Sequence, residues 1–578
     1  MADAACCRSA IHPLGGCSIS SHQFRRKLLN LRMRASPTTD SLGKRFSMLK
    51  NLIAASLASV LLVGAVQAAT PSPLLLRVTL SDKAPAAESG RLLVFAEPWD
   101  EAVAANHGQP PPAVDINIRK VLDVHVAAQE TSRIVPGGSR WIDLDRLAFP
   151  TPFSALKPGS YAVQALLDVN HDYNYLGRTA EDATSPVVKL EIGAGNAPPA
   201  LVLTLGHPDR VPLDPPLSAS PDERAAYAAA RADIDTLDFV SPSLSTFWGR
   251  PIHMRGWVLR PPGYDPAGHV RYPVVYVTHG FGEDSRTLAS WAVRFRQRMA
   301  SRETPPMIYV LLDESGPTGT HEFADSVNNG PWGQALTTEL IPALEQRYHM
   351  DARPSGRLLT GHSSGGWATL WLQTRYPKVF GGTWSTAPDP TDFHDFVGID
   401  LYAPGANVYR RPNGALYPLV RHDGQILATY EQFAKLERVL GPYGGQLTSF
   451  EWVFSPKGAD GRPMPMFDRD TGMVDQDVAI YWRDHFDIAW RVANNWPALR
   501  RDLDGKLHIV VGTADTYYLD GSVHRLKAVL DSLGAKSQVT FIDGRTHANL
   551  YRIGDDPYGL EKQIAWAMWA VARPNRPK

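Results

Sequence analysis

An apolar strand that runs into G-x-S-x-G and then into a helix constrains this chain more than any other feature. The residues are Leu358-Leu359-Thr360-Gly361-His362-Ser363-Ser364-Gly365-Gly366, followed by WATLWLQTRY. So tight a turn leaves no room for a Cβ at the outer glycines, and it raises the Ser363 hydroxyl above the sheet. The motif alone occurs by chance, but the strand before it and the helix after it favour a nucleophilic serine over an inert one.

The sequence around this turn alternates apolar strands with helices. Strand candidates are 252–259, 272–278, 307–312, 357–360, 379–385, 507–512 and 538–543, and helical stretches include 335–348, 364–376, 521–533 and 557–572. This alternation predicts an α/β catalytic domain over 245–578, with a mostly parallel sheet covered by helices on both faces. The interval 386–504 is far longer than a crossover needs, so we expect an insertion there.

Residues 70–207 have a different pattern, with short strands and no helices between them. Strand candidates are 74–80, 91–97, 160–168, 187–193 and 200–206. They predict a smaller all-β, sandwich-like domain. Residues 208–244 then read as a linker that contains an Ala-rich helix from about Asp222 to Leu237.

One segment of the β domain, DVNHDYN (168–174), alternates acidic and amide side chains as a calcium loop does. An EF-hand would have Gly at its sixth position and Glu at its twelfth, where this chain has Tyr173 and Thr179. We therefore expect a polar turn rather than a metal site.

The N-terminal residues predict a leader over 1–68 that contains a signal peptide at about 48–68. An apolar run from Leu52 to Val66 follows basic residues and leads into the ending Val66-Gln67-Ala68, and it is shorter than the roughly 20 residues of a membrane-spanning helix. We expect an exported protein, periplasmic or extracellular, with no stable membrane anchor after cleavage. The three cysteines, Cys6, Cys7 and Cys17, all lie in this leader, which excludes disulfides, Cys-ligated metals and cysteine nucleophiles from the rest of the chain.

The charge balance argues against one class of partner. Lys plus Arg and Asp plus Glu each number 59 among 578 residues. A nucleic-acid binder would carry a basic surplus, so we expect no nucleic-acid partner.

A nucleophilic serine needs an acid and a base, which should follow it in the order Asp or Glu, then His. Asp515 ends a buried strand, and His547 lies in the loop before the last helix. We assign these as the acid and the base, with Asp520 left open as an alternative acid. The other histidines in this region, His485, His508 and His524, are worse placed in the order or lie inside regular elements.

Acyl transfer also needs two N–H donors for the developing oxyanion. The turn Val277-Thr278-His279-Gly280-Phe281-Gly282 follows an upstream strand. We assign the donors to the backbone of Ser364 and of either Phe281 or Gly280. Pocket candidates are His279, Asn329, Trp332 and Asp389, although His279 is better explained as a structural residue of the turn and the others could simply cap turns.

The run RGWVLRPPGYD…RYPVVYVTHGFG (255–282) resembles the putative esterase family, which includes S-formylglutathione hydrolase, enterochelin esterases, feruloyl esterase domains and antigen 85. GHSSGG, NNGPWGQALTTELIPALE (328–345) and GTADTYYLDG (512–521) resemble the same family. The resemblance covers roughly 245–395 and 500–570. It implies an α/β-hydrolase with Ser363, Asp515 and His547 as the triad, while the β domain and the insertion depart from the family pattern.

These observations predict an exported serine hydrolase that cleaves a carboxylic ester through a covalent acyl-enzyme, without metal or organic cofactor. The substrate would be a small-molecule or polymer-linked ester. Three alternatives stay open: acyl transfer on the same triad, a serine peptidase, and a non-catalytic binding protein on a hydrolase fold.

Overall fold

The computed structural model describes residues 74–575 except 118–120, 175–177, 179–181, 194–199, 206–212, 216–218 and 442–444. The predicted leader at 1–68, with its signal peptide and its cysteines, lies outside the described residues. The described helices include none that is long and apolar enough to cross a membrane.

The largest element of the catalytic region is an eight-stranded sheet. Its strands are β10 (Ile234–Val240), β11 (His253–Leu259), β12 (Val274–Thr278), β13 (Ile308–Leu312), β18 (Arg357–His362), β19 (Gly382–Thr386), β22 (Leu507–Gly512) and β23 (Gln538–Ile542). Their order is β10-β11-β13-β12-β18-β19-β22-β23. β11 is antiparallel to both neighbours, and the pairs from β13 to β23 are parallel. This is the α/β-hydrolase fold that the sequence predicts.

The central strands form where the sequence is apolar without alternation. VVYVT of β12 and IYVLL of β13 are buried at every position, as expected for parallel strands covered on both faces. The helices that cover them are α4 (Ser285–Ala300), α5 (Trp332–Ala335), α6 (Ile341–Arg347), α7 (Ser364–Arg375), α12 (Asp520–Ser532) and α13 (Gly559–Ala572), with a π-helical turn at Leu336–Leu340.

The insertion between β19 and β22 contains a short hairpin and four helices. These are β20 (Pro418–His422), β21 (Gln425–Thr429), α8 (Tyr430–Leu440), α9 (Gln446–Phe454), α10 (Gln476–Phe486) and α11 (Ile488–Leu503). Helix α8 begins with a capping box in which Thr429 and Gln432 satisfy each other's backbone N–H groups. Two further hairpins, β14–β15 (Ser315–Gly316, Gly319–Thr320) and β16–β17 (Asp325–Ser326, Gly330–Pro331), follow β13.

Residues 75–205 form a nine-stranded sheet with one short helix, α1 (Trp99–Ala105). The strands are β1 (Leu75–Leu80), β2 (Glu88–Pro98), β3 (His125–Ile134), β4 (Ser139–Asp143), β5 (Ala148–Phe149), β6 (Gly159–Asp168), β7 (Ala183–Thr184), β8 (Val188–Ile192) and β9 (Leu201–Leu205). Their order is β4-β1-β9-β7-β6-β2-β3-β5, with β8 paired to β6. One face has its own apolar core, which includes Leu76, Leu92 and Leu203.

The other face of this sheet packs against the catalytic region. Leu93, Phe95 and Val126 belong to one continuous apolar core with Phe433 and Leu436 of α8. The described residues of both regions belong to a single compact unit.

The expected linker differs from the structure in one respect. The Ala-rich helix α2 (Pro221–Ala230) ends earlier than the expected Leu237, and β10 follows it as the first strand of the catalytic sheet. The residues 234–240, which we assigned to the linker, therefore belong to that sheet. A short helix, α3 (Pro242–Trp248), leads from β10 to β11.

Candidate functional site

Ser363 lies in a strained turn between β18 and α7. Its backbone has φ 59° and ψ −127°, a left-handed conformation that a residue with a side chain rarely adopts. A Cβ at Gly361 would overlap the carbonyl oxygen of Gly365 and the hydroxyl of Thr278. Because Gly361 and Gly365 let these backbones approach closely, the turn holds the Ser363 side chain at the carboxyl edge of the sheet.

Asp515 and His547 meet at the same edge, after β22 and in the loop after β23. His547 Nδ1 donates to Asp515 Oδ2 at 2.9 Å. The other carboxylate oxygen accepts the backbone N–H groups of Tyr517 (2.9 Å) and Leu519 (3.3 Å). Asp515 is fully buried and the His547 side chain is 14% exposed. The carboxylate thus fixes the ring orientation and the tautomer of His547.

The electrostatics of this pair favour the ionised carboxylate. Burial alone would raise the pKa of Asp515, but the facing imidazole and the backbone N–H groups hold it below its ordinary value. Burial likewise acts to lower the pKa of His547, and Asp515, with smaller contributions from Asp389 and Glu283, raises it above the ordinary value. His547 is therefore a stronger base than a free imidazole.

The other acid and histidines considered from the sequence contact groups other than Ser363. Asp520 accepts from Arg421 at 3.0 Å. His508 stacks on Trp384, His524 stacks on Phe541, and His485 stacks on Tyr481.

Ser363 and His547 line one cavity of about 170 Å³. No hydrogen bond joins the two side chains within the described part of the chain. Most of the cavity wall is apolar, and much of it comes from the insertion; the apolar and aromatic lining residues are Phe281, Phe396, Val397, Leu419, Tyr430, Phe433, Leu447, Phe450, Tyr517 and Leu519. The polar lining, apart from Ser363 and His547, includes Glu283, Asp389 and Gln446.

Of the predicted pocket residues, Asp389 lines this cavity. It accepts from the Ser364 hydroxyl at 2.6 Å, and burial raises its pKa to about 6. The other three candidates, His279, Asn329 and Trp332, are not among the residues that line this cavity, and they stay predictions. His279 is fully buried, and its Nε2 accepts the N–H of Glu314 at 2.9 Å.

Asn329 and Trp332 lie in the hairpin region after β13. The Asn329 carbonyl accepts from the Trp332 indole at 2.9 Å and from the Trp248 indole at 3.1 Å. Trp332 stacks on His321 with ring centroids 3.6 Å apart.

The second oxyanion donor stays open between Phe281 and Gly280. The N–H of Gly280 donates to Glu283 Oε2 at 2.8 Å. Ser364 is the first residue of α7, where backbone N–H groups have no partner within the helix. The assignment of the oxyanion hole to the backbone N–H of Ser364, with that of Phe281 or Gly280, stays a prediction.

Two residues of the site were missed from the sequence. Glu283 holds the turn after β12 through Gly280, and burial raises its pKa. A carboxylate three residues after a turn glycine is a signal that could have suggested this contact.

The second missed residue is His362, whose ring lies 4.3 Å from that of His547. The Thr386 hydroxyl donates its one proton to the Gly361 carbonyl (2.9 Å). Its oxygen can therefore only accept in its other two hydrogen bonds, from His362 Nδ1 (3.1 Å) and from the Tyr551 hydroxyl (2.7 Å). Burial lowers the pKa of His362 to about 3. His362 therefore packs against His547 as a neutral ring.

Away from this site, the segment with the calcium-like pattern brings Asp168 and Asp172 close to Asp182. One carboxylate oxygen of each lies within 4.8 Å of the others. Asp168 also accepts the N–H groups of Asp172 and Tyr173, both at 3.1 Å, as a polar turn would.

The sheet order and the serine turn define the class of the protein as an α/β-hydrolase. The putative esterase family matches residues 248–548, more than half of the chain. The chain belongs to this family.

Known proteins with similar sequence or structure include several esterases. An endo-1,4-beta-xylanase/feruloyl esterase of Xylanibacter ruminicola is 29% identical over 119 residues, which are 19% of this chain and 16% of that protein. The chain therefore spans only a small part of that relative. A ferulic acid esterase from Anaeromyces mucronatus is 14% identical and covers 59% of this chain and 92% of its own, with a TM-score of 0.32. An S-formylglutathione hydrolase from Agrobacterium tumefaciens is 14% identical over 59% of this chain and 94% of its own, with a TM-score of 0.33.

Proposed function

We propose that this protein is a carboxylic-ester hydrolase and a serine enzyme, in which Ser363 is the nucleophile, His547 the general base and Asp515 the residue that orients it. The observation that carries the proposal is the 2.9 Å Asp515–His547 hydrogen bond beside a strained serine turn that lines the same cavity. Three groups in these roles are what acyl transfer to a hydroxyl requires.

In the first half of the reaction, His547 Nε2 takes the Ser363 proton as Oγ forms a bond to the ester carbonyl carbon. The carbonyl oxygen becomes an oxyanion, which the N–H groups of Ser364 and Phe281 would stabilise. The tetrahedral intermediate collapses by breaking the bond to the alkoxy group, and His547 returns the proton to the departing alcohol.

In the second half, water attacks the acyl-enzyme while His547 takes one of its protons. The bond from the carbonyl carbon to Ser363 Oγ breaks, the proton passes to Oγ, and the carboxylic acid leaves. An alcohol in place of water would give acyl transfer instead, so the two outcomes differ only in the acceptor.

The cavity wall supports a preference for esters of apolar acids. The aromatic and aliphatic side chains around Ser363 offer little to a charged acyl group, and the carboxyl groups of Glu283 and Asp389 would repel an anionic one. The predicted signal peptide supports export to the periplasm or the medium. Feruloyl esters, named for some relatives, have an aromatic acyl group without charge near neutral pH and belong in the first substrate panel.

The test measures kcat for the hydrolysis of p-nitrophenyl esters of increasing acyl length and of a feruloyl ester. The enzymes compared are the wild type, Ser363→Ala and His547→Gln. We expect a loss of about 10⁴-fold or more in kcat for both variants, as when a triad member is removed. His524→Gln, a histidine already engaged with Phe541, is the matched control and should retain activity. Activity that survives in Ser363→Ala would refute the assignment, and a new ester formed with added alcohol would identify acyl transfer.

A further inference from the structure

A second cavity, lined in part by α4 and α13, also reaches His547. Its volume is about 380 Å³, against about 170 Å³ for the cavity at Ser363. Protein interiors contain few voids larger than a water molecule, whereas small-molecule sites span roughly 300–1,000 Å³. The cavity therefore has the size of a ligand site rather than of a packing defect.

Much of the lining of this cavity is apolar. It comes from strands β12 and β13 and from helices α4 and α13, and it includes Val277, Phe295, Tyr309, Ile564, Ala565 and Met568. An occupant would bury hydrocarbon or an aromatic ring here.

The outer end is lined by two guanidinium groups. Arg294 and Arg298 both line it and share a single carboxylate, Glu561, with Arg294 Nη2 at 3.0 Å. Both guanidinium groups lie over the ring of Tyr558, which is 38% exposed. Arg294 Nε is buried and has no hydrogen-bond partner among the described residues.

Acidic groups also surround this end. Glu303 and Asp556 are the carboxylates beside it, and both bond to Lys562 at 2.6 Å, so the three cations Arg294, Arg298 and Lys562 balance three carboxylates. A carboxylate ligand would therefore be held by guanidinium N–H groups that Glu561 does not accept, such as Arg294 Nε, rather than by a net positive charge.

The inner end meets the reacting groups. Glu283, His362 and His547 line both cavities. An occupant that reached this end would therefore contact His547 and limit the movement of its ring.

We propose that this cavity binds a carboxylate with an apolar tail, such as a medium-chain fatty acid. The carboxylate lies on Arg294 and Arg298, and the tail extends past Ile564 and Met568 toward His547. Binding is independent of the proposed function; the accompanying decrease in esterase activity rests on it.

The binding test is calorimetric titration of the folded wild type with decanoate, with decanol and with decyltrimethylammonium. We expect decanoate to bind about 10-fold or more tightly than the other two, as a desolvated charge pair provides. Arg294→Gln should weaken decanoate binding, and Ala565→Phe, which fills the cavity, should abolish it. Arg500→Gln, an exposed arginine outside the cavity, is the control for charge.

One further variant separates the two cavities. Leu447→Trp fills the cavity at Ser363 and should leave decanoate binding intact. The proposal is overturned if decanoate does not bind, if the three ligands bind equally, or if Leu447→Trp removes binding while Ala565→Phe does not. Inhibition of hydrolysis by decanoate that disappears in Ala565→Phe would support the coupling to His547.

A different observation concerns Arg91 of the N-terminal sheet. This arginine is 5% exposed. Its Nε donates to the carbonyl of Val439 at 2.8 Å and its Nη2 to the carbonyl of Arg438 at 3.2 Å, while Nη1 pairs with Glu130 at 2.5 Å. A cation from the N-terminal sheet thus satisfies the carbonyls at the end of helix α8.

Helix α8 and its neighbour α9 both reach the active site. Tyr430 and Phe433 of α8 line the cavity at Ser363, as do residues of α9. Glu437 of α8 accepts the N–H groups of Gln446 (2.6 Å) and Leu447 (3.0 Å) at the start of α9. The hydrogen bonds of Arg91 therefore help to hold α8 in place and, through Glu437, the start of α9.

We infer that Arg91 is a positioning residue for the acyl pocket, so that the N-terminal sheet is part of the substrate site rather than an independent module. This inference rests on the proposed function. Its test uses Arg91→Met, which keeps the apolar stem, with Arg91→Lys as the conservative variant and Arg77→Met as an exposed control on the same sheet.

We expect Arg91→Met to lower kcat/KM for p-nitrophenyl octanoate about 10-fold and to change that for the acetate much less, because misplaced pocket walls affect the longer acyl group. The kcat/KM of Arg91→Lys for the octanoate should lie between those of the wild type and of Arg91→Met. Equal losses on both esters, or no loss on either, would overturn the inference. Hydrogen exchange of α8 and α9, which should speed up in Arg91→Met, gives a readout that does not depend on catalysis; unchanged exchange would also overturn it.

Discussion

Replacing Asp515 with Asn tests how the site controls the tautomer of His547. One carboxylate oxygen accepts the backbone N–H groups of Tyr517 and Leu519, and the other faces His547 Nδ1. An Asn side chain must keep its oxygen toward the two N–H donors, since its NH₂ group cannot accept from them. The NH₂ group then faces Nδ1 as a donor.

The consequence is a change of tautomer. Nδ1 must accept, so the imidazole proton moves to Nε2, and Nε2 can no longer take the proton of Ser363. A wrong tautomer in a serine triad costs about 10⁴-fold in kcat, equivalent to about 5.5 kcal/mol at 1.36 kcal/mol for each factor of ten. The pKa of His547 should also fall, because Asp515 is the main charge that raises it.

The assay is kcat for a p-nitrophenyl ester across the pH range, with Asp520→Asn as the matched control. Asp520 is a carboxylate in the same region and pairs with Arg421, so we expect its Asn variant to lose little activity. A folded Asp515→Asn enzyme that loses less than about 10-fold, within the spread of ordinary side-chain contacts, would refute the tautomer argument.

Three further results are expected. Asp389→Asn should move the acid limb of the kcat/KM profile to lower pH, because the ionised carboxylate, present above about pH 6, raises the pKa of His547; an unchanged profile would contradict this. Gly361→Ala should cost more than about 3 kcal/mol in the urea unfolding free energy, since its Cβ meets backbone, whereas Gly534→Ala, with open space around it, should cost about 1 kcal/mol; equal losses would argue against the packing of the turn. Phe433→Ala should weaken hydrolysis of a long-chain ester by about 10-fold and affect an acetate ester less, as loss of a pocket side chain does; equal effects would place the acyl group elsewhere.

Local patterns and chain order were enough to predict the catalytic sheet and the loops that meet at its edge. The strand, turn and helix around Ser363 have a local signature, and Asp515 and His547 follow buried strands whose carboxyl ends share one edge. Family membership and the observed sheet order confirm the α/β-hydrolase fold. The catalytic roles of the three residues stay predictions.

What the sequence did not reveal depends on contacts between distant segments. Strand β10 was missed because it directly follows an Ala-rich helix, and β3 because HVAAQETSRI has no simple alternation. The hydrogen bond from the Gly280 N–H to Glu283 and the burial of His279 depend on how turns pack around the sheet. Arg91 lies 347 residues before the carbonyl of Arg438 that it contacts, a distance at which no local pattern signals a partner.

The most direct measurement is labelling of the folded wild type with a fluorophosphonate, followed by peptide mass spectrometry. The proposed function predicts one adduct on Ser363, absent from Ser363→Ala and strongly slowed in His547→Gln. An adduct on another serine, or labelling of Ser363 at the same rate without His547, would contradict the proposal that this serine is activated by the His547–Asp515 pair.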